Sequence, residues 1–111
     1  MPVADYMTEI RELLEDLIKV FMDCKATFRA QQIETAILKD DSELREFLVS
    51  NDMWGGSGSI ADDRVTDETK LRRKIESLMI QIGSIQMRYG FVNVRTEMWV
   101  TAFKDWSKVD A

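Results

Sequence analysis

The sequence predicts an all-α fold, a single-domain antiparallel bundle of about four helices. Two long segments repeat apolar residues at alternating spacings of three and four, which keeps one face of a helix apolar. No segment alternates apolar and polar residues over the length of a strand. The single proline is Pro2, so no proline interrupts the body of the chain. With 111 residues, the chain is expected to form one domain, residues 1–111, around one core.

The first helix is predicted to begin near Asp5 or Thr8, both of which are good N-cap residues. It is expected to extend for about 25 residues, or roughly 37 Å. Because Cys24 lies in its apolar row, we expect this cysteine to be buried and chemically inert. The row consists of Ile10, Leu13, Leu14, Leu17, Phe21, Cys24 and Phe28.

One or two shorter helices are predicted across residues 30–53. The apolar segment 33–38 ends before Asp40, and Ser42 is the expected N-cap of a further helix. Glu43 and Glu46 would then lie in its first turn, where negative charge is favourable.

The last two helices have the clearest signals. Asp67 is the predicted N-cap of a helix whose apolar residues repeat over nearly three heptads, and Gly90 is its expected left-handed C-cap. Gly83 lies within this helix and indicates a close approach by another helix, since glycine there costs up to about 1 kcal/mol. Asn93 is the predicted cap of the final helix, and the short connection predicts antiparallel packing. The repeating residues are Leu71, Ile75, Leu78, Ile82, Ile85 and Tyr89.

The residue counts exclude several kinds of site. Histidine is absent and Cys24 is the one cysteine, so histidine-based triads, His/Cys zinc sites and Glu-x-x-His di-iron sites lack necessary residues. The first 16 residues contain no uninterrupted apolar stretch, which predicts neither a signal peptide nor a membrane span. We therefore expect a cytoplasmic protein that is not an enzyme and holds no metal or cofactor.

Charge is distributed unevenly along the chain, whose net charge is −5. Residues 1–52 hold 6 basic and 12 acidic side chains, a balance of −6, whereas residues 53–111 hold 9 and 8, a balance of +1. An acidic half disfavours nucleic acid and favours either simple solubility or a basic protein partner. Glu12, Glu15 and Asp16 are the candidate partner residues here. The basic run 70–74 has acidic neighbours and no aromatic for base stacking, so it does not predict nucleic-acid binding.

The final helix carries an aromatic stripe. Trp99, Phe103 and Trp106 stand at positions i, i+4 and i+7 and therefore share one helix face. Such a stripe belongs either to the core or to a partner groove or homodimer seam, because tryptophan is a favoured interface anchor.

The stretch WGGSGSIADD, residues 54–63, is the one glycine-rich segment. It is not a Walker loop, because no lysine lies between Leu48 and Glu68, and no strand precedes it as the dinucleotide fingerprint requires. Consecutive amides could still form an anion-binding nest, although two aspartates would oppose an anion there. Ser59 and Asp62 have the spacing of a capping box.

The favoured interpretation of this stretch is a structural corner. Gly55 or Gly56 would end the preceding helix in a left-handed conformation, and Gly58 would permit a sharp turn. Trp54 and Ile60, which flank the glycines, would plug into the core.

The same stretch resembles the aromatic-Gly-Gly-x-Gly-Ser-hydrophobic-x-Asp motif of an uncharacterised family of small bacterial proteins. The similarity covers residues 54–62, with Ala61 standing where many members carry asparagine. The resemblance implies no assigned activity, but some members look like immunity proteins of bacterial toxin systems. The matching positions are Trp54, Gly55, Gly56, Gly58, Ser59, Ile60 and Asp62.

Together these features predict a small protein-binding domain, in its most concrete form an immunity or inhibitor protein whose acidic surface covers a basic partner. Two alternatives remain open. One is a small-ligand or anion-binding domain centred on residues 54–63, and the other is a purely structural homodimer formed through the aromatic stripe.

Overall fold

The computed structural model describes residues 5–109, and this part of the chain forms six α-helices and no strand. The all-α prediction is confirmed, but the expected number of about four helices is too low. The first predicted helix is shorter than expected, and three helices instead of one or two occupy the chain between it and the glycine-rich stretch. None of the helices described is both long and apolar enough to span a membrane. The helices are α1 (Asp5–Asp23), α2 (Thr27–Ile37), α3 (Asp41–Leu48), α4 (Asn51–Trp54), α5 (Thr69–Tyr89) and α6 (Thr96–Val109).

The prediction of one helix of about 25 residues at the start of the chain is wrong, because the chain turns at Lys25. This residue has a φ of +61°, and its N–H donates to Met22 O at 2.9 Å while the next N–H donates to Phe21 O at 2.8 Å. These two bonds form a Schellman C-cap with lysine in the place that glycine usually takes. The turn removes Cys24 and Phe28 from the buried row. Cys24 is half-buried, and Phe28 is 71% exposed.

The N-cap of α3 is Asp40, not Ser42 as predicted. Asp40 has an extended backbone, and its Oδ1 accepts a hydrogen bond from the Glu43 N–H at 2.8 Å. Ser42 is already inside the helix and is exposed. After α3 the chain forms the single turn α4, which brings Met53 and Trp54 into the core.

Helices α5 and α6 form an antiparallel hairpin, as predicted. Gly83 faces α6 so closely that a Cβ built on it would overlap Val100 Cγ2. Gly83 of α5 therefore lies beside Val100 of α6. Farther along the same pair of helices, Ser107 Oγ donates to Glu76 Oε1 at 3.4 Å. Residue numbers therefore fall on α5 as they rise on α6, which defines the antiparallel direction.

The ends of the two hairpin helices match the predicted caps only in part. Gly90 caps α5 in the left-handed conformation, with a φ of +78°, as predicted. At the other end α5 begins after Glu68 without a side-chain cap, so Asp67 is not its N-cap. Helix α6 begins at Thr96, three residues later than the predicted cap. Asn93 nevertheless shapes its entry, because Asn93 Oδ1 accepts from the Arg95 N–H at 2.9 Å.

The core lies along α1, which packs against α2 and α5, while α5 also packs against α6. Helices α1 and α5 are thus the two central elements, and each packs against two other helices. Among the residues whose burial is described, the largest fully buried side chains are Met7, Ile10, Leu14, Leu17, Phe21, Ile33, Leu44, Leu48, Met53, Trp54, Met79 and Ile82.

Candidate functional site

The glycine-rich stretch 54–63, here called the glycine corner, is a hydrogen-bonded turn. Gly55 is extended, with φ −65° and ψ −168°, and a Cβ on it would lie 2.5 Å from Asn51 O. The residue with a left-handed backbone is Gly58, at φ +90°. The prediction that Gly55 or Gly56 adopts that conformation is therefore wrong, whereas the sharp turn at Gly58 is confirmed. Gly55 is required by close approach and Gly58 by its backbone conformation.

Ser59 holds the corner together from inside. Its buried hydroxyl donates to Gly55 O at 2.7 Å and accepts from the Asp62 N–H at 3.1 Å. The predicted capping box is formed only in this forward direction. The Ser59 N–H donates to Gly56 O at 3.1 Å, which leaves the Asp62 side chain exposed at the surface.

The corner is fastened to the core at both ends, as predicted. Trp54 is fully buried, and its indole N–H donates to Gln86 Oε1 at 2.9 Å. The Gln86 amide donates in turn to Leu48 O at 2.9 Å, so the buried polar groups satisfy one another. Ile60 is also buried, and its N–H donates to Asp52 O at 2.8 Å.

Arg29 on α2 is hydrogen-bonded to the corner, a contact that the sequence did not predict. Its guanidinium donates to Asp63 Oδ2 at 2.7 Å, to Gly58 O at 2.9 Å and to Ser59 O at 3.3 Å. The residue is only 8% exposed. A buried arginine of this kind is expected to be fully hydrogen-bonded, and a fourth bond to Gln32 Oε1 at 2.9 Å contributes to this.

The amides in the second half of the corner have no capacity left for an anion. The five consecutive N–H groups of residues 59–63 all donate to acceptors within the chain. A nest of free amides is therefore not formed by this half of the corner.

The aromatic stripe of α6 lies beside the corner. Phe103 is buried and Trp99 is half-buried, with its indole N–H 3.3 Å from Gly55 O, whereas Trp106 is 48% exposed. The rings of Trp99 and Phe103 stack with centroids 5.7 Å apart at an interplanar angle of 25°. Trp106 stands nearly perpendicular to both, at 71° and 73°. The stripe is thus partly core and partly surface.

A cavity of about 420 Å³ lies between the corner, α5 and α6, and is here called the aromatic cavity. It is partly open to solvent. Residues 60–66, which begin within the corner, form one part of its lining, and the aromatic stripe forms another. Ile75 and Met79 of α5 also line it. Aromatic and aliphatic side chains share the lining with several charged ones, a combination that binding sites use to hold and orient a ligand.

Charged side chains line part of this cavity. Glu76 is only 3% exposed, and its Oε2 lies 4.0 Å from Arg72 Nε. Arg64, the second lining arginine, pairs with Asp67 at 3.1 Å. The lining contains three carboxylates and two guanidinium groups: Asp62, Asp63, Glu76, Arg64 and Arg72.

The structure brings some predicted site residues together and leaves others apart. Ile60 and Asp62 of the corner line the same cavity as the aromatic stripe. Glu12, Glu15 and Asp16 are exposed on α1, as expected for a surface, but none of them lines the cavity. The predicted partner residues therefore lie on at least two separate surfaces, one on α1 and one at the aromatic stripe.

The surroundings of Cys24 disfavour its thiolate form. Burial raises the pKa of Cys24, and the carboxylates of Asp23 and Glu68 raise it further. The thiol therefore keeps its proton at neutral pH, so it is a poor nucleophile. Among the residues described, no three or more His, Cys, Asp or Glu side chains are grouped as a metal site would require.

Two polar residues of α5 that line the core were also missed. Both are buried on a second face of α5: Glu76 lies against α6, where it accepts a hydrogen bond from Ser107, whereas Gln86 is hydrogen-bonded to the Trp54 indole and to Leu48 O. A second row at spacings of three and four, formed by Glu76, Met79, Gly83 and Gln86, marks this face. That row could have been found from the sequence, since Gly83 already indicated a close helix contact. Arg29 has no comparable signal.

Comparison with known proteins gives no match: no family model, curated protein or solved structure matches this chain. The geometry of the aromatic cavity therefore carries the functional proposal.

Proposed function

We propose that this chain is a small, non-enzymatic cytoplasmic domain that binds a basic protein partner and holds one of its side chains in the aromatic cavity. The observation that carries the proposal is Trp106, which is 48% exposed and lines a cavity that Trp99 and Phe103 also line. Tryptophan in an open apolar pocket is the usual kind of interface hot spot, because it buries a large rigid area when a partner docks.

The immunity or inhibitor form of this proposal has two further supports. The corner motif resembles that of a family in which some members look like immunity proteins. The exposed carboxylates of Glu12, Glu15 and Asp16 belong to the acidic half of the chain, which would speed the encounter with a basic partner. In this form the acidic surface steers association, and the aromatic cavity supplies most of the affinity.

The test uses the full chain and the purified products of the genes adjacent to its own. Binding is measured by calorimetry for the unchanged chain, for Trp106→Ala and for Met98→Ala. Met98 is the matched control, because it is 50% exposed on the same helix and does not line the cavity. We expect Trp106→Ala to weaken binding at least about tenfold and Met98→Ala to leave it within about twofold. Unchanged binding in Trp106→Ala would overturn the proposal.

The acidic surface is tested separately through rates. Reversing the charges of Glu12, Glu15 and Asp16 together is expected to lower the association rate constant at low salt and to leave dissociation nearly unchanged. If neither the charge reversal nor the salt concentration changed the association rate constant, the acidic surface would have no part in binding.

A small-ligand domain is the second candidate, because a volume of about 420 Å³ lies within the range of small-molecule sites. Gly58→Ala separates it from the first. If the change only lowers stability, the corner is structural; if a ligand carried through purification is lost while the fold is intact, the corner is part of a ligand site. Mass spectrometry of the purified chain detects such a ligand, and light scattering on the same sample tests the homodimer alternative.

A further inference from the structure

We propose that the side chain received by the aromatic cavity is a cationic one, a lysine or arginine of the partner protein. This inference rests on the proposed function and specifies its anchor. Two observations carry it: the arrangement of the three aromatic rings and the balance of charge in the lining.

The rings offer faces in two directions. Trp106 lies at 71° to Trp99 and at 73° to Phe103, so the three rings that line the cavity do not share one orientation. Their centroids lie 6.5 Å and 5.7 Å from that of Trp106. A cation is attracted to the face of an aromatic ring within about 6 Å of its centroid, and tryptophan attracts it most strongly. The long apolar stem of lysine or arginine would meanwhile contact Ile75 and Met79.

The charges of the lining favour the same occupant. Asp63 is neutralised by Arg29, whose Nε lies 2.7 Å from its carboxylate. Arg64 lies 3.1 Å from the carboxylate of Asp67, and Arg72 lies beside Glu76. Asp62 is exposed and takes part in no ion pair within residues 5–109. The charge that is not balanced at the cavity is therefore negative.

Other occupants fit this site less well. An acidic side chain would meet a lining with one carboxylate more than it has guanidinium groups. A purely apolar side chain would fill the aromatic walls but would remove water from the Asp62 carboxylate without replacing its hydrogen bonds. A cationic head with an apolar stem satisfies both parts of the lining.

The experiment compares two probes of nearly equal shape on the full chain. N-acetyl-lysine methylamide carries the cation, and N-acetyl-norleucine methylamide has a similar stem without it. Binding is followed by tryptophan fluorescence, in which Trp99 and Trp106 report on the cavity and buried Trp54 supplies a constant background. We expect the lysine probe to bind about tenfold more tightly than the norleucine probe.

Two pairs of variants locate the effect. Trp106→Leu keeps an apolar side chain but removes one ring. We expect it to reduce the preference for the lysine probe over the norleucine probe severalfold, whereas the control Met98→Leu leaves this preference unchanged. Asp62→Asn is expected to reduce the preference, whereas Asp105→Asn does not, although both remove one exposed carboxylate. Thermal unfolding of each variant confirms that the fold is retained.

The outcomes separate this inference from the function on which it rests. Equal binding of the two probes, tighter binding of norleucine, or no binding of either overturns the cationic anchor. The proposed function would still stand if Trp106→Ala abolished binding of the partner protein. If Trp106→Ala has no effect on the partner, the proposed function fails whatever the probes do.

Discussion

Arg29 offers the most informative stability test, because a single side chain ties α2 to the glycine corner. We expect Arg29→Met, which keeps the apolar stem and removes the guanidinium, to destabilise the fold by about 3 kcal/mol. The change leaves Asp63 without its cation, and it leaves Gly58 O and Ser59 O without the donors at 2.9 Å and 3.3 Å.

The magnitude follows from the burial of each partner. Breaking a fully buried ion pair costs about 3–5 kcal/mol, because the remaining charge is stranded away from water. The side chain of Arg29 is 10% exposed, but that of Asp63 is 35% exposed, so the remaining carboxylate regains part of its hydration. The two carbonyl bonds are part of the same loss, since a hydrogen bond to a charged group contributes about 1.5–3 kcal/mol net, and exposed Gly58 can bond to water instead. These opposing terms place the expected loss near the lower end of the buried range.

Urea unfolding, followed by circular dichroism, measures this loss. Arg64→Met is the matched control, because Arg64 also pairs with an aspartate, Asp67, but its side chain is 66% exposed. We expect the control to cost less than about 0.5 kcal/mol. In a double-mutant cycle, Arg29→Met and Asp63→Asn should be non-additive by at least about 1 kcal/mol. If Arg29→Met costs no more than Arg64→Met, the anchoring role is wrong.

Three further changes test other parts of the fold. Gly83→Ala is expected to lower the free energy of unfolding by about 1–2 kcal/mol, because overlap with Val100 outweighs the better helix propensity of alanine. An increase in the free energy of unfolding would contradict the close packing. Lys25→Gly should raise the free energy of unfolding by about 0.5–1 kcal/mol by relieving the positive φ, and a loss would contradict this. Burial and two nearby carboxylates raise the pKa of Cys24 in the folded state. The protonated thiol therefore contributes stability that is fully present below the unfolded-state pKa and is lost as pH rises through the folded-state pKa. Iodoacetamide at about pH 8.5 should therefore alkylate the folded chain more slowly than the urea-unfolded chain, and equal rates would contradict the shift.

The parts of the fold that could be predicted are those in which one residue type has one dominant physical use. The heptad spacing of α5, the left-handed Gly90 and the tight contact at Gly83 belong to this class, because spacing and glycine geometry act locally. Trp54 and Ile60 were placed in the core for a similar reason: apolar side chains beside a tight turn have few other places to go.

The features that were missed depend on substitutes or on distant partners. Lysine at position 25 ends α1 where glycine would normally mark the stop, so the local pattern continued through the turn. Asp40 and Ser42 are both good N-cap residues, and only the extended backbone at Asp40 decides between them. Arg29 contacts the corner about thirty residues later in the chain, and nothing in the sequence around it specifies that partner.

The glycine corner and the aromatic stripe are separate features of the sequence, but the fold brings both into the lining of one cavity. Helix α5 makes this possible, because Gly83 lies close both to Val100 of α6 and to Trp54 of the corner. The structural interpretation of the corner and a binding role are consequently not in competition. Gly55, Gly58 and Ser59 set the path of the backbone, and that path places Asp62 in the cavity lining. A change in the corner should therefore alter binding through the position of this wall, even where no corner glycine touches the partner.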